Sequence, residues 1–245
     1  HDLQEVSIIP IEYDKLERFF QFPDNMRDKF KKLNLSEVNP IHFLQNVPRI
    51  MAFFNALQEL TIKMSAHHPL NLYKCIHRLA SLPKLEVLTI IGSNWSNGTN
   101  PLSLYNYYHL YGIPRFETLC TFYVETFHSA NHDFLHSKHL SRIFPKLAYF
   151  NLVYKNNCSI CRSEFRLTRE KALRRCALLA AKPWFEQCSS LSSVGITIRK
   201  PSEDKNYEFT EEDLDELKDE NDDEEHKEDN EKDNEEDKDE DDKND

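Results

Sequence analysis

The side chains best suited to chemistry gather between positions 128 and 175. Cys158-Ser-Ile-Cys161 is a CxxC pair, half of the tetrahedral thiolate set that holds a structural zinc. A second close pair must supply the other half, yet the thiols that follow, Cys176 and Cys188, stand twelve residues apart. Reduced cysteines in or beside a packed core are the expectation, and no metal is assigned. His128, His132, His136 and His139 fall at i, i+4, i+8 and i+11, along one helical face. HxxxH can chelate a divalent ion, but the glutamate of a hydrolytic HExxH site is missing. The stripe reads as a solvated, pH-sensitive face or an incidental chelating surface. Arg162, Arg166, Arg169, Lys171, Arg174 and Arg175 form a basic cluster opposed only by Glu164 and Glu170. Such a cluster suits phosphate or an acidic peptide, or simply a solvated helix, and one acidic candidate lies in the same chain.

Composition removes whole classes of function. The 245 residues include four glycines: Gly92, Gly98, Gly112 and Gly195. No stretch fits GxxxxGK[ST], GxGxxG or GxSxG, motifs in which backbone must turn or approach a phosphate where a Cβ would clash. No acid/base pair or nucleophile constellation stands out, so a non-enzymatic protein without a cofactor is expected. No apolar run approaches the ~20 residues of a membrane span, and no membrane partner is expected. Six cysteines are too few for a disulfide scaffold of this size, which points to the cytoplasm or nucleus. Chance accounts for the four sequons, at Asn34, Asn94, Asn97 and Asn157, as well as secretion does. The His1 start reads as that of a processed product or a fragment.

The formal charge of −11 conceals two unlike parts. Positions 203–245 hold 26 acidic residues and 6 lysines, a net of −20, which leaves +9 for positions 1–202. Thr210-Glu-Glu-Asp213 reads as a capping box, with Leu214 and Leu217 able to dock a short helix near 210–218. From Lys218 onward almost nothing is apolar, so disorder is expected there. Dense Asp and Glu repel nucleic acid and attract basic proteins, although a purely solubilising tail has the same composition.

The elements that position these side chains follow from a repeat. Leu57-Gln-Glu-Leu60-Thr-Ile62 returns as Leu85-Glu-Val-Leu88-Thr-Ile90. Related units begin at Leu3, Phe30, Phe116, Leu147 and Leu191, giving steps of 27, 27, 28, 31, 31 and 44. The fifth places Thr121 where an apolar residue belongs, with Phe122 able to take over through a bulge. A lead-in recurs as Leu82-Pro-Lys-Leu85, Ile113-Pro-Arg-Phe116 and Phe144-Pro-Lys-Leu147. Proline there ends a helix and admits the chain to extended geometry. The intervening stretches, 11–20, 69–81, 101–111, 131–144 and 163–182, carry apolar residues at helical spacing, the last stopping at Pro183. Each unit is then one short strand followed by one helix.

This pattern resembles the leucine-rich repeat family, in its longer, helix-bearing class, across residues 1–200. Where that family continues with Asn or Cys, this chain has Val38, Ser65, Ser93 and Lys155. The resemblance implies an α/β, right-handed strand–helix solenoid of about seven repeats over 1–200. It would have a parallel concave sheet and convex helices, followed by an acidic tail over 201–245. Single units cannot bury their own apolar faces and must stack. The concave face would present Glu5, Lys32, Asn34, Glu59, Thr61, Lys63, Val87, Thr89, Thr118, Tyr149, Asn151 and Ser193, together with Ser7, Ser36, Val153 and Thr197. A protein partner is expected there, with Tyr149 as its best anchor. The glycine-poor repeats look like the substrate-recognition half of an F-box ubiquitin-ligase adaptor. Leucine-rich repeats with an acidic tail are also similar to histone-binding acidic nuclear phosphoproteins and to Ran GTPase-activating proteins, which would imply basic-protein binding or GTPase regulation.

Overall fold

The computed structural model describes residues 5–8, 29–38, 43, 45, 48, 54–64, 72–93, 112–126, 140–155, 169–199 and 204–217. Outside the described residues lie Cys158, Cys161, the four-histidine stripe, Arg162, Arg166, the helices expected over 11–20 and 101–111, and everything from 218 on.

The sheet has eight strands, β1 (Glu5–Ile8), β2 (Lys32–Val38), β3 (Glu59–Met64), β4 (Val87–Ser93), β5 (Thr121–Thr126), β6 (Tyr149–Lys155), β7 (Ser193–Arg199) and β8 (Lys205–Phe209). Their spatial order is their chain order. The first seven pair in parallel, each with the next, and β8 returns antiparallel to β7. From β2 to β7, apolar residues at alternate positions send one side of each strand into the core: Leu33 and Leu35, Leu60 and Ile62, Leu88 and Ile90, Phe122 and Val124, Phe150 and Leu152, Val194 and Ile196. Helices cover that side. α1 (Leu72–Leu79) contributes Cys75, Ile76 and Leu79 to the same apolar cluster, α2 (Leu140–Ile143) contributes Ile143, and α3 (Arg169–Gln187) contributes Leu173, Ala177 and Trp184.

A recurring backbone contact fixes the register. The amides of Gln58 and Glu59 both donate to the Lys31 carbonyl, at 2.8 Å each. Those of Glu86 and Val87 share the Gln58 carbonyl, Cys120 and Thr121 share that of Glu86, Ala148 and Tyr149 that of Cys120, and Ser192 and Ser193 that of Ala148. Each acceptor occupies the second position of its hexapeptide, so equivalent positions lie side by side across the sheet.

This ladder corrects the fifth unit. Leu88 pairs with Phe122 and Thr89 with Tyr123, so the unit is Leu119-Cys120-Thr121-Phe122-Tyr123-Val124. Apolar spacing alone fits both registers, because Phe116 is buried as well. Phe116 instead fills the turn ahead of the strand, the place held by Phe54, Leu82, Phe144 and Cys188 elsewhere. In three of those turns the leucine amide three residues on closes the loop: Leu57 onto the Phe54 carbonyl, Leu147 onto Phe144 and Leu191 onto Cys188. Thr118 is therefore ahead of β5, where its hydroxyl donates to the Leu85 carbonyl at 2.8 Å. Ser190 occupies the equivalent position and makes the same bond to the Leu147 carbonyl, also at 2.8 Å.

Two further boundaries differ from the sequence reading. The last helix does not stop at Pro183 but runs through it to Gln187. An interior proline forfeits a hydrogen bond and costs ~3 kcal/mol. The turn beyond it buries Trp184, Phe185 and Cys188, and burying a large apolar side chain returns about 1.5–3 kcal/mol each. Trp184 stacks on Phe150 at 3.6 Å between ring centroids, and Phe144 lies 6.1 Å away. The sheet also continues past residue 200, since Lys205–Phe209 alternates Tyr207 and Phe209 inward with Asn206 and Glu208 outward.

A register with Phe122 in the core has a measurable consequence. Phe122→Ala is expected to lower unfolding free energy by about 3–5 kcal/mol, against about 1 kcal/mol for Thr118→Ala, which removes one hydrogen bond. Urea titration followed by circular dichroism checks both.

Candidate functional site

The side of the sheet away from the core carries the polar positions in continuous rows. One row runs Glu5, Lys32, Glu59, Val87, Thr121, Tyr149 and Ser193. The next runs Ser7, Asn34, Thr61, Thr89, Tyr123, Asn151 and Gly195, and ends on Glu208 of β8. Of the expected face residues Thr118 is the one that lies off this side of the sheet; Lys63 stands beyond Thr61 on β3 and Ser36 beyond Asn34 on β2.

The two halves of this face differ in chemistry. In the first half the charged groups satisfy one another. Asn34 Nδ2 donates to Glu5 Oε1 at 2.8 Å and Ser7 Oγ at 3.2 Å. Lys32 Nζ sits 2.8 Å from Glu59 Oε1, and that hydrogen bond is the main reason the lysine pKa is raised. These exposed pairs are screened and contribute little stability.

In the second half the side chains leave space. Tyr123, Asn151 and Gly195 follow one another in register, so bulk falls from a phenol to an amide to none. The Asn151 amide lies over Gly195, and a Cβ there would overlap Asn151 Nδ2. A glycine inside a strand marks such a close approach. The result is an open cavity of about 600 Å³, walled by Tyr123 and Tyr149 on one side and by Asn206, Tyr207 and Glu208 on the other. Tyr149 is 54% exposed, the large apolar side chain among the described residues that is left to solvent. Asn151 Oδ1 is buried and has no hydrogen-bond partner among the described residues. Thr197 Oγ1 donates to Asn206 Oδ1 at 2.8 Å, tying β8 to the rim.

Beside the cavity sits Glu125, 7% exposed, the buried charged residue among the described residues. Arg199 grips it through two contacts, Nη1 to Oε1 at 2.7 Å and Nη2 to Oε2 at 3.0 Å. A bidentate, charge-assisted pair of this kind satisfies a carboxylate that burial would otherwise penalise. Val153, next in the row, is also buried, not presented to solvent as the alternation implied. Burial raises the Tyr123 pKa first, with the charges of Glu125 and Asp204 adding and Arg199 opposing.

A second polar group closes the end of the sheet. Thr210 precedes a 3-10 turn, Glu211–Asp215, whose Asp213 Oδ2 accepts from the Thr210 amide at 2.7 Å and hydroxyl at 3.1 Å. Arg174, from the expected basic cluster, donates from Nη2 to Glu216 Oε1 at 2.6 Å and Asp213 Oδ1 at 3.2 Å. Its guanidinium also lies 5.2 Å from the Phe209 ring centroid. Leu214 and Leu217 pack on the core. Arg169 opens α3 and Arg175 lies half-buried along it. Cys75, Cys176 and Cys188 are buried free thiols, with burial alone pushing Cys188 up to about 12. Among the described residues no three His, Cys, Asp or Glu side chains are grouped to hold a metal, and no helix is long and apolar enough to cross a membrane.

Sequence reasoning missed Thr121, Tyr123, Gly195, Asn206 and Glu208. The first two were displaced by the register of the fifth unit, which Leu119-x-x-Phe122-x-Val124 spells correctly. Asn206 and Glu208 were hidden by their place in the acidic stretch, although Lys205–Phe209 has the two-residue period of a strand. Comparison of the chain with protein-family models, with curated proteins and with solved structures gives no match.

Tyr207 gives the end of the sheet a pH signature. Burial first, then the hydrogen bond to Glu170 Oε1 at 3.1 Å and that carboxylate's charge, push its phenol up to about 12. A pKa raised on folding stabilises the fold fully below the unfolded value of about 10, and that stabilisation is lost as pH rises through about 12. Between those limits the wild type is expected to lose melting temperature faster than Tyr207→Phe. Thermal melts of both proteins from pH 8 to 12 read the difference.

Proposed function

We propose that this chain is a non-enzymatic protein-binding scaffold built as a leucine-rich repeat solenoid, with the open sheet face as its binding surface. In-order parallel strands, the shared carbonyl at one position of each unit and the recurring turn before each strand support the architecture. The single observation that carries the binding role is Tyr149, solvent-facing at the edge of an open cavity, on a face whose neighbours are polar and half-buried. Aromatic side chains held on rigid strands contribute large contact area at low entropic cost, and they dominate the energetics of interfaces. Within this reading the partner segment is an extended or turn-forming peptide seated across β5, β6 and β7. The finer assignment, substrate recognition for an F-box ubiquitin ligase, rests on the resemblance of the repeats.

Selection of displayed peptides against the full chain tests the surface. Binders are expected to weaken at least tenfold, about 1.4 kcal/mol, with Tyr149→Ala, and to keep their affinity with Lys182→Ala on α3. Binders that tolerate Tyr149→Ala and Tyr123→Ala but lose affinity with Lys182→Ala would place recognition on the helical side and overturn the reading.

A further inference from the structure

Thr210 stands alone in this sequence. No other serine or threonine of the 245 residues has an acidic residue three positions on, and Thr210 is followed by Glu211, Glu212 and Asp213 in succession. A kinase that selects acidic residues at +1 to +3 does so with a basic substrate cleft, through charge-assisted contacts. Ser202 has Glu203 and Asp204 at +1 and +2 but Lys205 at +3, so Thr210 is the one address with acidic residues at all three positions. That address is exposed and lies at the junction between a strand and the turn that covers the end of the sheet.

The geometry around Thr210 shows what a phosphate would change. On its N-terminal side Phe209 is fully buried and paired in β8, a fixed anchor. On its C-terminal side, where the kinase must read, the contacts are few. One long backbone bond, Asp213 amide to Thr210 carbonyl at 3.3 Å, joins the turn to Thr210, and the Glu216 amide donates to the Asp213 carbonyl at its far end. Arg174 ties it to α3 through Asp213 and Glu216. Open spaces of about 200 and about 500 Å³ flank it, beside Arg174 and Leu178 and beside Lys182 and Glu186. The turn is docked but not tightly packed, so the acidic tripeptide can open while β8 stays in place.

We propose that Thr210 is a phosphorylation site for an acid-directed serine/threonine kinase and that its modification releases the turn from α3. The kinase's base takes the hydroxyl proton as Thr210 Oγ1 attacks the γ-phosphorus of ATP. The Oγ1–P bond forms, the bond from that phosphorus to the β-phosphate oxygen breaks, and ADP leaves. The hydroxyl that donated to Asp213 Oδ2 at 3.1 Å is gone. In its place stands a charge of about −1.5 to −2 against the same carboxylate. Arg174 is already shared between Asp213 and Glu216 and cannot neutralise a third anion without giving one up. Leu214 and Leu217 then leave the core, and the side of α3 that carries Lys171, Arg174 and Leu178 is uncovered. This switch is independent of any partner on the open face.

The full chain is treated with an acid-directed kinase and ATP, its phosphates are mapped by mass spectrometry, and its amide exchange is measured before and after. One phosphate per chain at Thr210 is expected, retained as phosphoserine in Thr210→Ser and absent from Thr210→Ala. Exchange across 211–217 should rise about tenfold or more while β7 and β8 are unchanged, the behaviour of a local opening. Unmodified Arg174→Ala should show the same exchange pattern, because it removes the tie that phosphate overcomes. Phosphate elsewhere in the Thr210→Ala chain, or a full chain left unmodified when the free peptide 206–217 is phosphorylated, would overturn the site. Thr210 phosphate with no change in exchange across 211–217 would overturn the release.

Discussion

From β3 to β7, each strand enters the sheet through one carbonyl oxygen of the unit before it. The acceptors are Lys31, Gln58, Glu86, Cys120 and Ala148, and each takes two consecutive amides from the next unit. A buried backbone cannot leave its donors unpaired, so this contact locks strand register to the same position of every unit. Side chains follow from it. Because the strand period is two, a one-residue slip would send every core leucine to solvent. The shared carbonyl thus decides which residues become core and which become surface. The turn ahead of the strand serves the same purpose, with Phe54, Leu82, Phe116, Phe144 or Cys188 packed beneath it.

The two ends of the second half solve different problems. Its interior is aromatic: Phe116, Phe122, Phe144, Phe150 and Trp184 lie in ring contact, with centroids between 3.6 and 6.1 Å. Large rings supply area where α3 covers the strands, which is why a proline within that helix is tolerated. The edge of β7 would present unpaired backbone, a template for another chain. β8 covers it in the opposite direction, and the Thr210 turn folds over α3 with Arg174 as its tie. Acidic residues that read as tail are therefore, in part, structural. The cavity on the open face arises at this junction, where Gly195 lowers the floor and Glu208 and Asn206 build a wall.

Much of this was legible in the residues, and the failures have physical causes. Six of seven units were readable because large apolar residues return at the first, fourth and sixth positions, with five of the six steps between 27 and 31 residues. The fifth was misread because Phe116 and Leu119 are both buried, so hydrophobicity could not choose between them; only the backbone ladder does. Tyr149, Asn151 and Ser193 were legible as a common face once the period was known. Glu125 was not, since nothing in one sequence says that Arg199, 74 residues on, will reach it. Pro183 was read as a stop on local grounds, and the burial of Trp184 beyond it is a tertiary effect that local rules omit. β8 was concealed by composition, because charge density outweighs a two-residue apolar alternation in any average.

The corrected register joins the fold to the site, since it is what puts Thr121 and Tyr123 beside Tyr149 and Asn151. Engineered disulfides measure it directly. Neighbouring strands lie about 4.8 Å apart, within reach of a disulfide between paired positions, whereas residues three along the chain are out of reach. The double variant Thr121→Cys/Tyr149→Cys is expected to oxidise to an intramolecular disulfide with the fold retained, and Thr118→Cys/Tyr149→Cys to remain reduced. Efficient closure of the second pair and not the first would contradict the register, and with it the cavity and the proposed binding face.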